Sequence, residues 1–273
     1  MATKKAGSAK KTTRSKSQPA KTTKTTVTTV KAVETAKPKV SASRFGDRKT
    51  VLAAALIGEF IGTFLLATAF LVTKGEPLYM GFVLVALVLI VGTLSSAHFN
   101  PLLTIGAWVT RKIGNLRAVG YLIAQFLGAG AAFVLLSTYI GGISTESQSL
   151  MTQTPSVFEL QPLSEQNHWF IFFAELLGAA IFAFAVAGAM RDKTDRLARA
   201  FTIGFGLFVA VLVAGVAAGY VSGQVAVNPA LALAASAIDW AKIDWFAVAA
   251  YLAAPVIGGI LGFVLRDVVE TQE

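Results

Sequence analysis

Two short stretches, Ala97-His98-Phe99-Asn100-Pro101-Leu102 and Val225-Ala226-Val227-Asn228-Pro229-Ala230, repeat one pattern 128 residues apart. Asn is a strong helix N-cap and Pro is favoured at the first helical position, so each Asn-Pro pair marks the start of a helix. The apolar stretches that follow, 102–109 and 230–237, run about two turns and cannot cross a hydrocarbon core of ~30 Å. They are half-helices. Breaking a membrane segment in this way leaves backbone groups without partners, which lipid tolerates only where the break is buried in protein or lines a water-filled cavity. Two breaks of one kind imply one shared cavity.

A membrane setting follows from composition. The chain is 55% hydrophobic and 14% charged, against about 25% charged residues in a soluble domain. Beyond the half-helices, apolar runs cover 51–73, 78–94, 118–140, 169–190, 200–219 and 245–265, each within or close to the ~17 to 25 residues of a spanning helix. Six spans result. There are no cysteines and only two histidines, His98 and His168, and no cluster has metal-ligand spacing. Neither a metal site, a cofactor nor enzymatic chemistry is expected.

The halves repeat in order. Ile57-Gly58-Glu59-Phe60-Ile61-Gly62 matches Phe173-Ala174-Glu175-Leu176-Leu177-Gly178, and Tyr121 matches Tyr251; the offsets are 116 at Glu, 128 at Asn-Pro and 130 at Tyr. Each half carries three spans, an odd number, so the second half enters the bilayer from the opposite side as an inverted repeat. The Asn-Pro ends then meet near the midplane. Small residues at helical spacing, Gly58 with Gly62, Gly215 with Gly219 and Gly258 with Gly262, point to a tightly packed bundle.

Residues 1–49 hold 14 of the 24 Lys and Arg with only Glu34 and Asp47 as acids. Almost free of large apolar residues, this tail is expected to be disordered. It lacks the apolar core of a secretory signal. As a solvated basic extension it would touch anionic lipid headgroups at about 1 kcal/mol per cation near the surface. A transit peptide or a nucleic-acid-binding tail are the other readings of that composition. Basic connections at Arg111, Lys112 and Arg117 and at Arg191, Lys193, Arg196 and Arg199, against the acidic stretch 141–167, put both termini in the cytoplasm.

With Glu59, the Ser-Ser-Ala-His-Phe-Asn-Pro run at 95–101, Glu175, Ser222-Gly223 and Asn228-Pro229-Ala230 in view, the sequence resembles the aquaporin family, also called the major intrinsic proteins. The resemblance covers about residues 50–266. It implies an all-α membrane protein, a right-handed bundle of six transmembrane helices plus two re-entrant half-helices, usually a homotetramer in the cell membrane with one pore per subunit. Water or small neutral solutes would pass passively. The expected organisation is then a basic tail at 1–49, a channel domain at 50–266 (repeats at about 50–140 and 168–266) and a short tail at 267–273.

Each Asn that caps its half-helix accepts with its side-chain oxygen, leaving amide N–H groups to donate. Asn100 and Asn228 would both aim donors at one oxygen, and the positive ends of two half-helix dipoles oppose cations there. Glu59 and Glu175, ionisable groups inside spans, need partners; the reading favoured is that each accepts hydrogen bonds from the irregular backbone before its half-helix, over a proton relay. His98 reads as an anchor of the re-entrant loop.

The departures from the family pattern concern selectivity. Leu102 stands where the first motif usually has Ala. Family spacing gives the selectivity filter as Met80, Val216, Val225 and Leu231, with Leu231 where an Arg is usual. Four apolar filter groups widen the mouth for neutral solutes yet offer no hydrogen bonds to a dehydrating permeant. The expected function is a passive channel for water or small uncharged solutes, with a glycerol or small-polyol facilitator as runner-up. A closed-pore adhesion protein and a coupled transporter are the alternatives from other classes.

Overall fold

The structure, a computed structural model, describes residues 48–143, 156–164, 168–191 and 195–270. Residues 1–47 of the tail expected to be disordered, the acids Glu146 and Glu165 and the last three residues lie outside the described residues, while Arg48 and Lys49 already belong to the first helix. Everything described is helix or connection, with no strand among the described residues. The elements are α1 (Arg48–Thr73), α2 (Pro77–Ile90), α3 (Pro101–Val109), α4 (Asn115–Gly141), α5 (His168–Arg191), α6 (Arg196–Gly219), α7 (Pro229–Ala234), α8 (Trp245–Val248) and α9 (Ala254–Glu270). A π turn, Ala249–Ala253, joins the last two.

Local chemistry sets the ends. Lys74 and Gly75 adopt left-handed φ of 57° and 70°, closing α1, and Pro77 starts α2 at the position where its missing N–H costs nothing. Asp195 caps α6 by accepting the Ala198 N–H at 2.8 Å, and Asp244 caps α8 through Phe246 N–H at 2.8 Å. Pro255, one residue into α9, has no N–H to give residue 251, and its ring would meet that carbonyl. The helix widens into the π turn instead.

Five helical segments are long and apolar enough to span: α1, α4, α5, α6 and the combined α8–α9. The sixth, α2, has 14 residues, about 21 Å at 1.5 Å per residue, because 91–94 leave the helix as turns on the way to the first Asn-Pro motif. Helix α1 packs along α4, and α5 along α9. These are the same pair seen twice. At Gly128 an added Cβ would stand 2.5 Å from the Phe60 carbonyl oxygen, and at Gly258, 130 residues later, 2.2 Å from that of Leu176. Backbones approach there as only glycine allows. Gly58, Gly62 and Gly262 are likewise packed, whereas Gly215 and Gly219 have no atom within 4 Å of a would-be Cβ, so that pair joins no helices among the described residues.

Candidate functional site

The half-helices α3 and α7 have nine and six residues. Their N-termini meet. Asn100 caps α3, its Oδ1 accepting Leu102 N–H at 3.0 Å; Asn228 caps α7, its Oδ1 accepting Ala230 N–H at 3.0 Å and Leu231 N–H at 3.4 Å. Each amide nitrogen then reaches across to the other half. Asn100 Nδ2 donates to the Val227 carbonyl at 2.9 Å, and Asn228 Nδ2 to the Phe99 carbonyl at 3.1 Å. Both asparagines are buried. Of the two N–H groups on each amide, one is thus consumed by the crossing bond and one remains, a division that the sequence reading had not made.

The backbone leading into each cap is strained in the same way. Phe99 and Val227 both have φ of 49°, a left-handed conformation costly for a bulky residue and more so for a β-branched one. A buried carboxylate holds each. Glu59 accepts His98 N–H at 3.0 Å and Phe99 N–H at 2.7 Å, and also Ser95 Oγ–H and Gln125 Nε2–H, both at 2.8 Å. Glu175 accepts Ala226 N–H at 2.6 Å and Val227 N–H at 2.9 Å. Tyrosines brace the same loops: Tyr121 Oη accepts Ser96 N–H at 3.2 Å, and Tyr251 Oη–H donates to the Gln224 carbonyl at 3.1 Å.

Between the two caps lies an enclosed cavity in which a water centre has ≈ 10 Å³, about the room one water needs. Its apolar wall comes from Leu66 and Phe70 of α1, Met80 and Leu84 of α2, Phe182 of α5, Leu207 and Val211 of α6, and Leu231 of α7. Asn100, Asn228 and His98 supply the polar atoms. The segment 156–164 is tied over α7 by Leu160 N–H on the Ala235 carbonyl at 2.8 Å, and Phe158 meets Phe70 edge-on at 5.6 Å.

Of the four filter positions read from the sequence, the structure brings Met80 and Leu231 to the cavity. Val225 is buried outside it, and its neighbour Ala226 forms the wall instead. Val216 is 55% exposed. It lies five residues past Val211, which at about 100° per residue turns it ~140° away from the cavity row. Gly215, one turn beyond Val211, continues that row, and nothing stands within 4 Å of its missing side chain. Counting back twelve residues from Asn228 gives Val216, the residue next to Gly215. Leu102 is also buried off the cavity, its backbone and Cβ packed at Gly259 of α9, while Pro101, Pro229 and Ala230 are buried in the caps. The sequence reading missed Phe182 and Leu207; their helix periodicity alone could not say which apolar face turns inward. Among the described residues no group of His, Cys, Asp and Glu could hold a metal ion.

A family model described as Major intrinsic protein matches residues 72–265. In sequence the chain is similar to Aquaporin Z of Photorhabdus laumondii subsp. laumondii, 28% identical over 77% of this chain and 93% of the relative. It is similar also to glycerol uptake facilitator protein-like 6 of Lactiplantibacillus plantarum, 25% identical over 80% of this chain and 98% of the relative. The X-ray structure of the aquaglyceroporin from Plasmodium falciparum shares the fold, with a TM-score of 0.54 at 21% identity over 79% of this chain and 93% of that one.

Proposed function

The chain belongs to the major intrinsic protein family, and from that premise we propose that it conducts water in single file, passively, through the constriction between Asn100 and Asn228. Its relatives include proteins named as an aquaporin and as a glycerol uptake facilitator, which fits a passive channel for water and small solutes. The observation that carries the finer reading is the crossed pair of asparagine bonds. It leaves one amide N–H on each side for the permeant. A water oxygen can accept from both, which turns its hydrogens away along the path. Its hydrogens then point away from the asparagines on both sides, so no hydrogen bond runs straight through the constriction as a proton wire. The converging positive ends of α3 and α7 oppose a cation at the same point.

A second reading, passage of glycerol or a small polyol, is favoured by the apolar residues along the path and by Gly215. Swelling and shrinking of proteoliposomes in gradients of an impermeant sugar and then of glycerol separates the two. Rapid water flux with glycerol excluded is the expected result. Glycerol entry at a rate comparable to water would replace the water reading with the facilitator, and the absence of both fluxes would overturn the channel.

The filter in this proposal is Met80, Gly215 and Leu231, with Val216 outside it. Gly215→Phe should therefore block the mouth and lower water permeability at least tenfold, whereas Val216→Phe, on the outward face, should stay within twofold of the parent. Comparable losses in both variants, measured by stopped-flow light scattering, would return the position to Val216.

The subunit is an integral multi-pass membrane protein. In our proposal both termini are cytoplasmic. In support, Arg111, Lys112, Arg117, Arg196, Arg199 and Arg266 cluster at the helix ends on the side where α1 begins, against Lys74 and Lys242 at the other ends, as the positive-inside rule expects. There Lys112 pairs with Asp267 at 2.8 Å, and Arg196 donates to the Leu89 carbonyl. A homotetramer in the cell membrane, with the basic tail against anionic headgroups, completes the proposal.

A further inference from the structure

The chain has no cysteine and four methionines, and one methionine sulfur stands at the constriction. Met80, 2% exposed, is part of the wall of the enclosed cavity between Asn100 and Asn228. Its neighbours in that wall, Leu66, Phe70, Leu84 and Leu231 among them, are aliphatic or aromatic and inert to a mild oxidant. A thioether is not: it takes up one oxygen and becomes a sulfoxide. Burial shuts the sulfur off from the bulk solution, so an oxidant has to enter the cavity to reach it. A space of ≈ 10 Å³ for a water centre, about one water's worth, admits hydrogen peroxide end-on and turns away an alkyl hydroperoxide.

We propose that Met80 is an oxidation site, reached by hydrogen peroxide along the permeation path, and that its sulfoxide closes the constriction. The step needs peroxide and nothing else. The sulfur attacks one peroxide oxygen, the O–O bond breaks as the S–O bond forms, and the second oxygen takes the proton of the first and leaves as water. The thioether loses two electrons and the peroxide gains them.

Closure follows from what surrounds the sulfur. The added oxygen is about as large as the water that the cavity holds. It also converts an apolar side chain into a polar one, and a buried acceptor needs a donor. The Thr73 hydroxyl lies 4.0 Å from Met80 Sδ, but its proton is already given to the Ala69 carbonyl at 2.8 Å. Asn100 and Asn228 line the same cavity, and each keeps one amide N–H beyond its crossing bond. Those are the free donors. A sulfoxide oxygen that takes one of them removes it from the permeating water and stands where that water would pass. Repair by a sulfoxide reductase requires the side chain to enter another enzyme's site, which a folded Met80 does not allow, so the closure outlasts the oxidant.

The closure rests on the channel reading above; the chemistry at the sulfur is read separately. Proteoliposomes holding the full chain are treated with hydrogen peroxide or with tert-butyl hydroperoxide, then divided between peptide mass spectrometry and stopped-flow water permeability. Hydrogen peroxide should add one oxygen at Met80 and lower permeability about fivefold or more, the loss of one donor of ordinary strength. The tert-butyl reagent should oxidise Met80 only once the chain is unfolded in dodecyl sulfate. Met80→Leu is compared with itself: whatever its starting permeability, peroxide should not change it. Met190→Leu, at the far end of α5, should lose as much as the parent. Met80 left unoxidised by peroxide, oxidised equally by both reagents in the folded chain, or oxidised with no change in flux overturns the proposal, as does a Met80→Leu chain that loses flux like the parent. If Met80→Leu does not fold, the two reagents on the parent carry the test. A parent chain that conducts no water ends the channel reading and the closure with it, while peroxide-specific oxidation of Met80 still upholds the modification site.

Discussion

Glu175→Leu should leave little folded protein. The N–H groups of Ala226 and Val227 would lose the acceptors they now have at 2.6 and 2.9 Å, and each orphaned buried donor costs about 1–3 kcal/mol. Val227 would keep its φ of 49° with only the Asn100 bond to its carbonyl left to hold it, in a conformation that persists only where the surroundings over-determine it. Two such donors together cost about 2–6 kcal/mol, a large part of the whole stability of an ordinary domain, about 5–15 kcal/mol. Glu59→Leu should be at least as damaging, because it also strands Ser95 and Gln125. Glu175→Gln, which can accept one of the two bonds but sets an NH₂ against the other, should fall between. Monodisperse yield after detergent extraction and the thermal midpoint read the series. A leucine variant melting within a few degrees of the parent would mean that the carboxylate does not hold the loop.

Replacing Asn100 and Asn228 together by leucine should reduce water permeability by an order of magnitude or more. The double variant removes both crossing bonds and both remaining N–H donors, at about 1 kcal/mol each, and a tenfold change corresponds to 1.4 kcal/mol. Two caps worth about 1 kcal/mol apiece go with them, so flux has to be normalised to the folded fraction. Each single variant should lose about the square root of the double's factor if the halves act independently. A deeper loss from either one would show that the two crossings lock each other, since Asn100 holds the carbonyl of Val227 and Asn228 that of Phe99. Normalised permeability equal to the parent would remove the asparagines from the permeation path.

Much of the architecture was legible because it is written locally. Asn-Pro followed by two apolar turns is a capped half-helix wherever it occurs, and α3 and α7 begin at Pro101 and Pro229 as that chemistry demands. The site was legible where it lay next to a motif, as Leu231 does. Across a loop it was not. Val216 was counted through the connection from Asn228, and one residue of register rotates a side chain by about 100°, enough to carry it from Gly215's row to the outer surface. Leu102 escaped for a related reason: nothing local says whether the second residue of a half-helix turns to the path or to Gly259 of α9.

Sequence alone determined the membrane environment, the helix count, the two broken helices and the inverted duplication, since composition, capping and hydrophobic run length act within a few turns of chain. Only the tertiary structure decided what the asparagines have left to give, that Val216 is exposed, and that His98 is buried beside the cavity. Those outcomes depend on loops 128 residues apart crossing and on the rotation of each helix about its own axis. Both are settled by packing between the halves.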